Sequence, residues 1–289
     1  MCQSRDPIPF VKMCASGNDF IVINNMNQDI HIDPLVVKKW CDRKRGIGAD
    51  GVLVLEPSSH ASFKMRIINA DGSEAEMCGN GARCISLYAY LKGIAASVMR
   101  FETLAGIINA EVIEGQIRIQ LTQPTNIQLN MKIDDCPTLL HYINTGVPHA
   151  VLLVDAVETT DVVTIGRKLR YSSAFQPAGT NVNFVEIVDG SHIVGSTGFQ
   201  PVCRQDACTT FIKVRTYERG VEDETLACGT GSSASACICT LLGMVSSPVR
   251  VITKGGEVLT IYIEQDGDNI TRLFLEGEAR VVFEGRISP

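Results

Sequence analysis

Short apolar runs bounded by turn residues recur along the first half of the chain. "FIVINN" (Phe20–Asn25), "VLVLE" (Val52–Glu56) and "FKMRIIN" (Phe63–Asn69) are rich in β-branched residues and predict strands. Asp33-Pro34 predicts a helix start, with Asp as N-cap and Pro in the first turn, running to near Gly46. A second helix is predicted from Asn80 to about Leu91, stopping before Gly93. "GIINAEVIEGQIRIQL" reads as a hairpin turning at Glu114-Gly115.

The second half repeats this style. "HYINTG", "HAVLLVD", "NVNFVEIV" and "FIKVRTYE" predict strands, and Asp161–Leu169 a short helix. Gly229–Leu242 is a helical stretch of small and apolar residues with almost no charge, so burial on all sides is expected. From Val249 onward apolar and polar residues alternate, with turns at Gly255-Gly256 and Gly267, the pattern of a β-meander.

Within this pattern lies an internal repeat. "KMRIINADGSEAEMCGNG" begins at Lys64 and "KVRTYERGVEDETLACGTG" at Lys213. Lys to Cys is 14 residues in the first and 15 in the second, and Cys to the helix-ending glycine is 15 in both. Asn69 and Glu218 each stand five residues after the lysine. Each half is thus strand, polar loop, cysteine, glycine turn, helix. A period this long excludes a solenoid and predicts two similar domains, with a linker near Thr122–Asn126.

The repeated turn carries candidate chemistry. A cysteine just before a helix lies beside unpaired backbone N–H groups and the positive end of the helix dipole, which favours thiolate and binds carboxylate. Two such turns on one cleft would put a sulfur on each side of a carbon bearing a carboxylate. That suits inversion of an α-carbon: a thiolate takes the proton from one face and a thiol returns one to the other. Converging N–H groups would stabilise the charge that develops. This reaction needs neither pyridoxal nor metal, and the sequence has no obvious site for either.

Composition narrows the classes further. The 289 residues are 45% apolar and 20% charged, with net charge −6, and Lys and Arg do not cluster. Nucleic acid and an anionic membrane surface are therefore not expected partners. No apolar run approaches a membrane span, and "MCQSRDPIPFVKM" lacks a signal-peptide core. Eleven cysteines are an odd number and contain no C-x-x-C; the closest pairs include Cys203/Cys208, and His141 and His149 do not fall at zinc spacings. Reduced thiols in the cytoplasm are expected. Cys14, Cys41, Cys84, Cys136, Cys237 and Cys239 read as small buried apolar residues.

Five segments, taken in order, resemble the diaminopimelate epimerase family: "KMCASGNDF" (Lys12–Phe20), "CDRKRGIGADG" (Cys41–Gly51), "NADGSEAEMCGNGARC" (Asn69–Cys84), "TNVNF" (Thr180–Phe184) and "YERGVEDETLACGTG" (Tyr217–Gly231). The resemblance covers nearly the whole chain. It implies an α+β fold of two pseudo-symmetric domains, each a mixed β-barrel wrapped around a central helix, with the active site in the cleft between them. The domains would be 1–124 plus about 278–289, carrying Cys78, and 125–277, carrying Cys228. It implies a cofactor-independent enzyme that interconverts LL- and meso-2,6-diaminopimelate in lysine and peptidoglycan-precursor synthesis.

By the same resemblance, Cys78 and Cys228 are the catalytic acid and base, with His149 and Glu218 supporting them. Gly79, Asn80, Gly229 and Thr230 would bind the reacting end of the substrate; Asn18, Asn69, Asn181, Glu218 and Arg219 would bind its far end. Arg219 can give a carboxylate a bidentate grip, and asparagines supply neutral donors and acceptors. Asp19 and Asp50 read as loop or capping residues. No metal site and no cofactor are implied, and the partner is a small-molecule amino-acid substrate, diaminopimelate; the oligomeric state stays open, a homodimer being one alternative.

Two positions depart from the family pattern. Gly51 stands where many members have Gln, and Val147 where many have Asn. Both remove polar side chains near the far end of the substrate, which predicts relaxed selectivity toward amino acids such as glutamate; Asn144 could compensate. Three other readings compete. A proline-racemase-like enzyme would share the thiol pair but have no use for a distal clamp. A thiol redox protein would need a resolving cysteine nearby in sequence. An amino-acid binder would need the helix ends but not the sulfurs. Exchange of the substrate α-proton separates epimerase from the last two.

Overall fold

A computed structural model describes residues 7–134, 136–188 and 211–288; Cys203 and Cys208 lie outside them. The chain divides into two compact units, one running to Gln120 and taking in the residues from Gly277 on, the other Leu121–Glu276.

The first unit contains β1 (Ile8–Ala15), β2 (Asn18–Asn24), α1 (Pro34–Cys41), β3 (Gly51–Glu56), β4 (Phe63–Asn69), β5 (Glu74–Ala75), α2 (Gly79–Leu91), β6 (Val98–Thr103), β7 (Gly106–Ile113) and β8 (Gln116–Gln120). The second contains β9 (Thr125–Met131), β10 (Leu140–Asn144), β11 (Pro148–Leu153), α3 (Val162–Arg170), β12 (Asn181–Val188), β13 (Phe211–Glu218), β14 (Asp223–Thr225), α4 (Gly229–Leu241), β15 (Val249–Thr253), β16 (Val258–Asp266) and β17 (Asn269–Glu278). The last strand, β18 (Arg280–Ile287), returns to the first unit by pairing with β1.

Both units follow one pairing scheme. The first runs β18-β1-β2-β3-β4-β6-β7-β8, with β2–β3 and β4–β6 parallel and the rest antiparallel. The second runs β9-β10-β11-β12-β13-β15-β16-β17, with β11–β12 and β13–β15 parallel. In the first, α2 contacts β1 through β4, β7 and β8; in the second, α4 contacts β10 through β13, β15 and β16. Each sheet therefore curls around one helix, and the fold is two repeats of a mixed sheet on a central helix.

The sequence dictates this wrapping. Val52 and Val54 of β3 pack outward with Val37 and Trp40 of α1, so period two turns Leu53 and Leu55 inward. Both faces are buried, which is why "VLVL" carries no polar alternation. The second unit matches it: Val182 and Phe184 of β12 cluster with Val162 and Leu169 of α3. Residues 231–239 of α4 are all buried, as the lack of charge there requires. The β7–β8 hairpin turns at Glu114 (φ 49) and Gly115 (φ 86), the left-handed pair that a two-residue hairpin favours.

Two local expectations need correction. Asp33 caps α1 through Leu35 N–H at 2.7 Å, but the helix ends at Cys41, not near Gly46. Asp42 turns the chain out of the helix by accepting from Lys44 N at 2.8 Å and Arg45 N at 2.9 Å. Thr125 and Asn126 are not a linker; they begin β9, which pairs with β10.

Candidate active site

Cys78 and Cys228 are the N-cap residues of α2 and α4. Both hold extended backbone, φ −143 and ψ 122 at Cys78, φ −122 and ψ 109 at Cys228. Each carbonyl accepts the first helical bond, from Ala82 N and Ser232 N, both at 2.8 Å. The Cys228 sulfur also accepts Gly231 N–H at 3.4 Å and lies 3.5 Å from Thr230 Oγ1. Thr145 Oγ1 bonds the Thr230 carbonyl at 3.3 Å, tying the loop before β11 to this turn.

The loop before each cysteine is held by the same device. Arg66 grips Glu74 through Nε at 2.8 Å and Nη2 at 3.2 Å; Arg215 grips Glu224 through Nε at 2.5 Å and Nη2 at 2.7 Å. In each repeat the arginine stands two residues after the lysine and the glutamate four before the cysteine. The lysine-to-cysteine spacing held that signal, though it drew no expectation. Bidentate pairs fix orientation as well as distance, so both cysteine turns are positioned against their own sheet.

In the first unit, Asn80 Nδ2 donates to Asn18 Oδ1 at 2.5 Å, and Asn18 Nδ2 donates to Asp50 Oδ2 at 3.1 Å. Asn80 Oδ1 accepts from Arg83 Nη2 at 2.7 Å. Arg83 is fully buried, also bonding Ser16 Oγ and the Glu278 carbonyl. Sequence reasoning missed it, since an arginine on a helix reads as solvated. Asp19 and Asp50 do more than cap a loop: Arg43 bridges both at 2.7 Å, and Lys12 pairs with Asp19 at 2.6 Å. Burial alone would raise the Asp19 pKa, but hydrogen bonds and charge from Arg43 and Lys12 bring it down to about 2. Asn69 is exposed, and its side chain donates to Ser73 Oγ at 3.0 Å, holding the 69–73 turn.

In the second unit, His149, Asn181, Glu218 and Arg219 gather where β11, β12 and β13 run side by side, His149 pairing with Asn181 across the ladder. Asn181 Oδ1 accepts Arg219 N–H at 2.8 Å and its Nδ2 donates to the Pro148 carbonyl at 3.1 Å, so its side chain positions the Arg219 backbone. Arg219 Nη1 reaches the Ala178 carbonyl at 3.0 Å. Burial raises the Glu218 pKa, while a 2.8 Å bond from Thr225 Oγ1 pulls it the other way. His149 is completely buried, and burial with the Arg219 charge pushes its pKa down to about 3.

The glycines of the two turns differ in what demands them. A Cβ at Gly231 would overlap Asn183 Oδ1 and stand 3.1 Å from Thr216 Oγ1 and 3.2 Å from the Cys228 sulfur. At Gly51 it would meet the Ile68 carbonyl oxygen at 2.7 Å, so β4 leaves no room there for a side chain. Val147 is partly buried, and Asn144 Oδ1 accepts Gly146 N–H at 2.9 Å within its own turn.

Of the other cysteines, Cys41, Cys84, Cys237 and Cys239 are buried, and burial lifts the thiol of Cys41 to about 11 and that of Cys239 to about 12. Cys14 and Cys136 are only half-buried, correcting the expectation of burial; Cys136 Sγ lies 3.5 Å from Thr138 Oγ1. Among the described residues no group of three or more His, Cys, Asp or Glu could hold a metal ion, and no helix is long and apolar enough to cross a membrane.

The chain is similar to known proteins along nearly its whole length. The chain is 43% identical to the diaminopimelate epimerase of Aquifex aeolicus, over 96% of this chain and 97% of that one. It is 40% identical to that of Chlorobaculum tepidum, over 96% of this chain and all of the other. Among solved structures, a phenazine biosynthesis PhzF-family protein of Bacillus anthracis superposes with TM-score 0.66 at 13% identity, over 98% of this chain and 100% of that one. A probable proline racemase from Agrobacterium radiobacter gives TM-score 0.66 at 16% identity, over 97% and 93%. These two share the fold alone. The family model described as diaminopimelate epimerase matches residues 10–126 and 141–282, which takes in both cysteine turns, and with relatives above 40% identity along nearly the full length it places the chain in the diaminopimelate epimerase family of isomerases.

Proposed function

We propose that this chain interconverts LL- and meso-2,6-diaminopimelate in the cytoplasm, for lysine and peptidoglycan-precursor synthesis, with Cys78 and Cys228 as acid and base. The observation that carries the reading is the twice-built cysteine cap: one residue type, one backbone conformation and one clamped loop, at the head of the central helix of each unit. Chance burial of thiols gives no reason for that repetition.

One sulfur, as thiolate, removes the α-proton; the other, as thiol, delivers a proton to the opposite face, and the roles exchange for the other isomer. Helix N-termini favour the thiolate, and the N–H groups of Gly79, Asn80, Gly229 and Thr230 hold the α-carboxylate as charge flows toward it. Glu218, whose carboxyl burial raises, and His149 support the sulfurs. Asn18, Asn69, Asn181 and Arg219 bind the far end, with Asn181 already fixing the Arg219 backbone. A proline-racemase-like reaction would leave that cluster without a ligand, and a thiol redox role would leave both helix ends without an anion.

Selectivity at the far end is the finer reading. Gly51 is closed off by β4, Val147 is apolar, and the Asn144 oxygen is engaged in its own turn. Gly51 and Val147 carry no polar side-chain group and the Asn144 oxygen already holds its own turn, so discrimination against shorter acidic amino acids such as glutamate is reduced. The test of the whole reading is incubation with LL-diaminopimelate in heavy water. Meso product carrying deuterium at one α-carbon supports it; an unchanged, unlabelled substrate overturns it.

A further inference from the structure

The two units are built alike, but the residues beneath their central helices differ. The repeat sets Ile67 of β4 against Thr216 of β13, since each is the third residue after its lysine. Across the ladder, Ile67 pairs with Leu53 and Thr216 with Asn183. One strand further, Phe20 pairs with Gly51 as His149 pairs with Asn181. Under α2 the three positions are Phe20, Leu53 and Ile67, all apolar and buried. Under α4 they are His149, Asn183 and Thr216, all polar and buried. A Cβ at Gly81 would meet Leu53; at Gly231 it would meet Asn183 and Thr216.

A polar triad in a core is costly unless its hydrogen bonds close. Thr216 Oγ1 donates to Asn183 Oδ1 at 2.9 Å. Asn183 Nδ2 reaches the Ala150 carbonyl at 3.0 Å and His149 Nδ1 at 3.2 Å. A backbone carbonyl can only accept, so the Asn183 atom facing it is the nitrogen, and the oxygen faces Thr216. One amide hydrogen goes to Ala150, and the other points at Nδ1. Nδ1 must then offer a lone pair, which puts the proton of the neutral ring on Nε2. Nε2 is buried and finds no hydrogen-bond partner among the described residues.

We propose that Asn183 is a positioning residue that locks His149 as the Nε2–H tautomer, making His149 a neutral hydrogen-bond donor to an acceptor on the amino-acid substrate. His149 then takes no proton itself; the proton transfers stay with the sulfurs. Thr216 serves by preventing the Asn183 amide from flipping. The desolvated ring and the nearby Arg219 charge favour the same neutral state. In the first unit the matching places hold Phe20, Leu53 and Ile67, which offer no such donor. The substrate part of this inference rests on the function proposed above, while the tautomer does not.

Nitrogen NMR of the full chain, labelled in histidine, tests it directly at neutral pH. Nδ1 of His149 should give a pyridine-like signal and Nε2 a pyrrole-like one. A proton on Nδ1, or an imidazolium, overturns the proposal whether or not the chain epimerises anything. Adding diaminopimelate should shift the Nε2–H signal; an unmoved signal while epimerisation proceeds overturns the donor role. Asn183→Asp should move the proton to Nδ1 and lower kcat at least tenfold with KM changed less than threefold. If that variant does not fold, Thr216→Val, nearly the same shape, should lower kcat about threefold or more and broaden the His149 signals. Wild-type kcat in the folded variant contradicts the assignment.

Discussion

Leu53 and Asn183 occupy the same place in the two units, each on the strand facing the second glycine of a Cys-Gly-x-Gly turn, and one is apolar where the other is a hydrogen-bonded hub. The backbone repeat is thus retained while the chemistry beneath it has diverged. That divergence sets how tightly each turn is specified.

Gly231 bears the tighter constraint. A methyl group there would displace Asn183 and crowd Thr216 and the Cys228 sulfur. Gly231→Ala should lower stability by ~1–3 kcal/mol, the usual cost of overpacking, and reduce kcat at least tenfold. Gly79→Ala is the control for packing, because its Cβ would meet only Ile119 Cδ1 at 3.6 Å. Its melting temperature should stay near that of the wild type. Thermal unfolding of both variants checks the contrast.

How much of this was legible in the sequence depends on whether a residue's meaning is local. The cysteine caps, the Asp33 cap and the hairpin at Glu114-Gly115 were, because capping and turn chemistry act over a few residues. The premature end of α1 was not: Asp42 competes with the helix by bonding Lys44 and Arg45 N–H, and an Asp near a helix end is compatible with either outcome. Arg83, Asn183 and Thr216 were missed because their meaning is tertiary. A polar residue inside a strand or helix pattern reads as solvent-facing until its partner, distant in sequence, is known. The strand Ile8–Ala15 was missed too, since Pro9 interrupts it and its place beside β18 is set by residues at the other end of the chain.

The two arginine–glutamate clamps should differ in strength. The side chains of Arg215 and Glu224 are 12% and 15% exposed, against 27% and 34% for Arg66 and Glu74. Removing one partner leaves the other charge stranded, and the loss grows with burial. Glu224→Gln should cost about 1–3 kcal/mol, and Glu74→Gln under about 1 kcal/mol, near the surface value. Denaturant titration of the two variants would reverse this order if loop packing, not charge, holds the turns.

Asp19 gives the fold an acid-sensitive contribution. Its pKa is about 2 in the folded chain and near 3.8 when free, so the unfolded state binds the proton first. Its stabilisation is present above about pH 4 and fades as the pH falls toward 2, amounting to roughly 2 kcal/mol. Wild type and Asp19→Asn should therefore differ in unfolding free energy at pH 6 and converge near pH 2. A difference that grows on acidification would contradict the ion network with Lys12 and Arg43.

Relaxed selectivity predicts slow exchange of the glutamate α-proton with solvent, well below the rate on diaminopimelate. Each lost hydrogen bond to a charged group is worth ~1.5–3 kcal/mol, so roughly ten- to a hundredfold in discrimination per contact. Val147→Asn should suppress the glutamate reaction relative to diaminopimelate. Proton NMR in heavy water reads both; no exchange on glutamate in the wild type ends the idea.

The central claim is that two sulfurs, and not one, move the α-proton. Cys78→Ala and Cys228→Ala, each purified with its fold verified by circular dichroism, are assayed for conversion of LL- to meso-diaminopimelate by chiral product analysis. The account predicts that both folded variants fall by at least a thousandfold, roughly 4 kcal/mol of barrier, because each leaves one face of the substrate without its proton carrier. Either variant epimerising at a rate near that of the wild type would contradict the two-thiol mechanism.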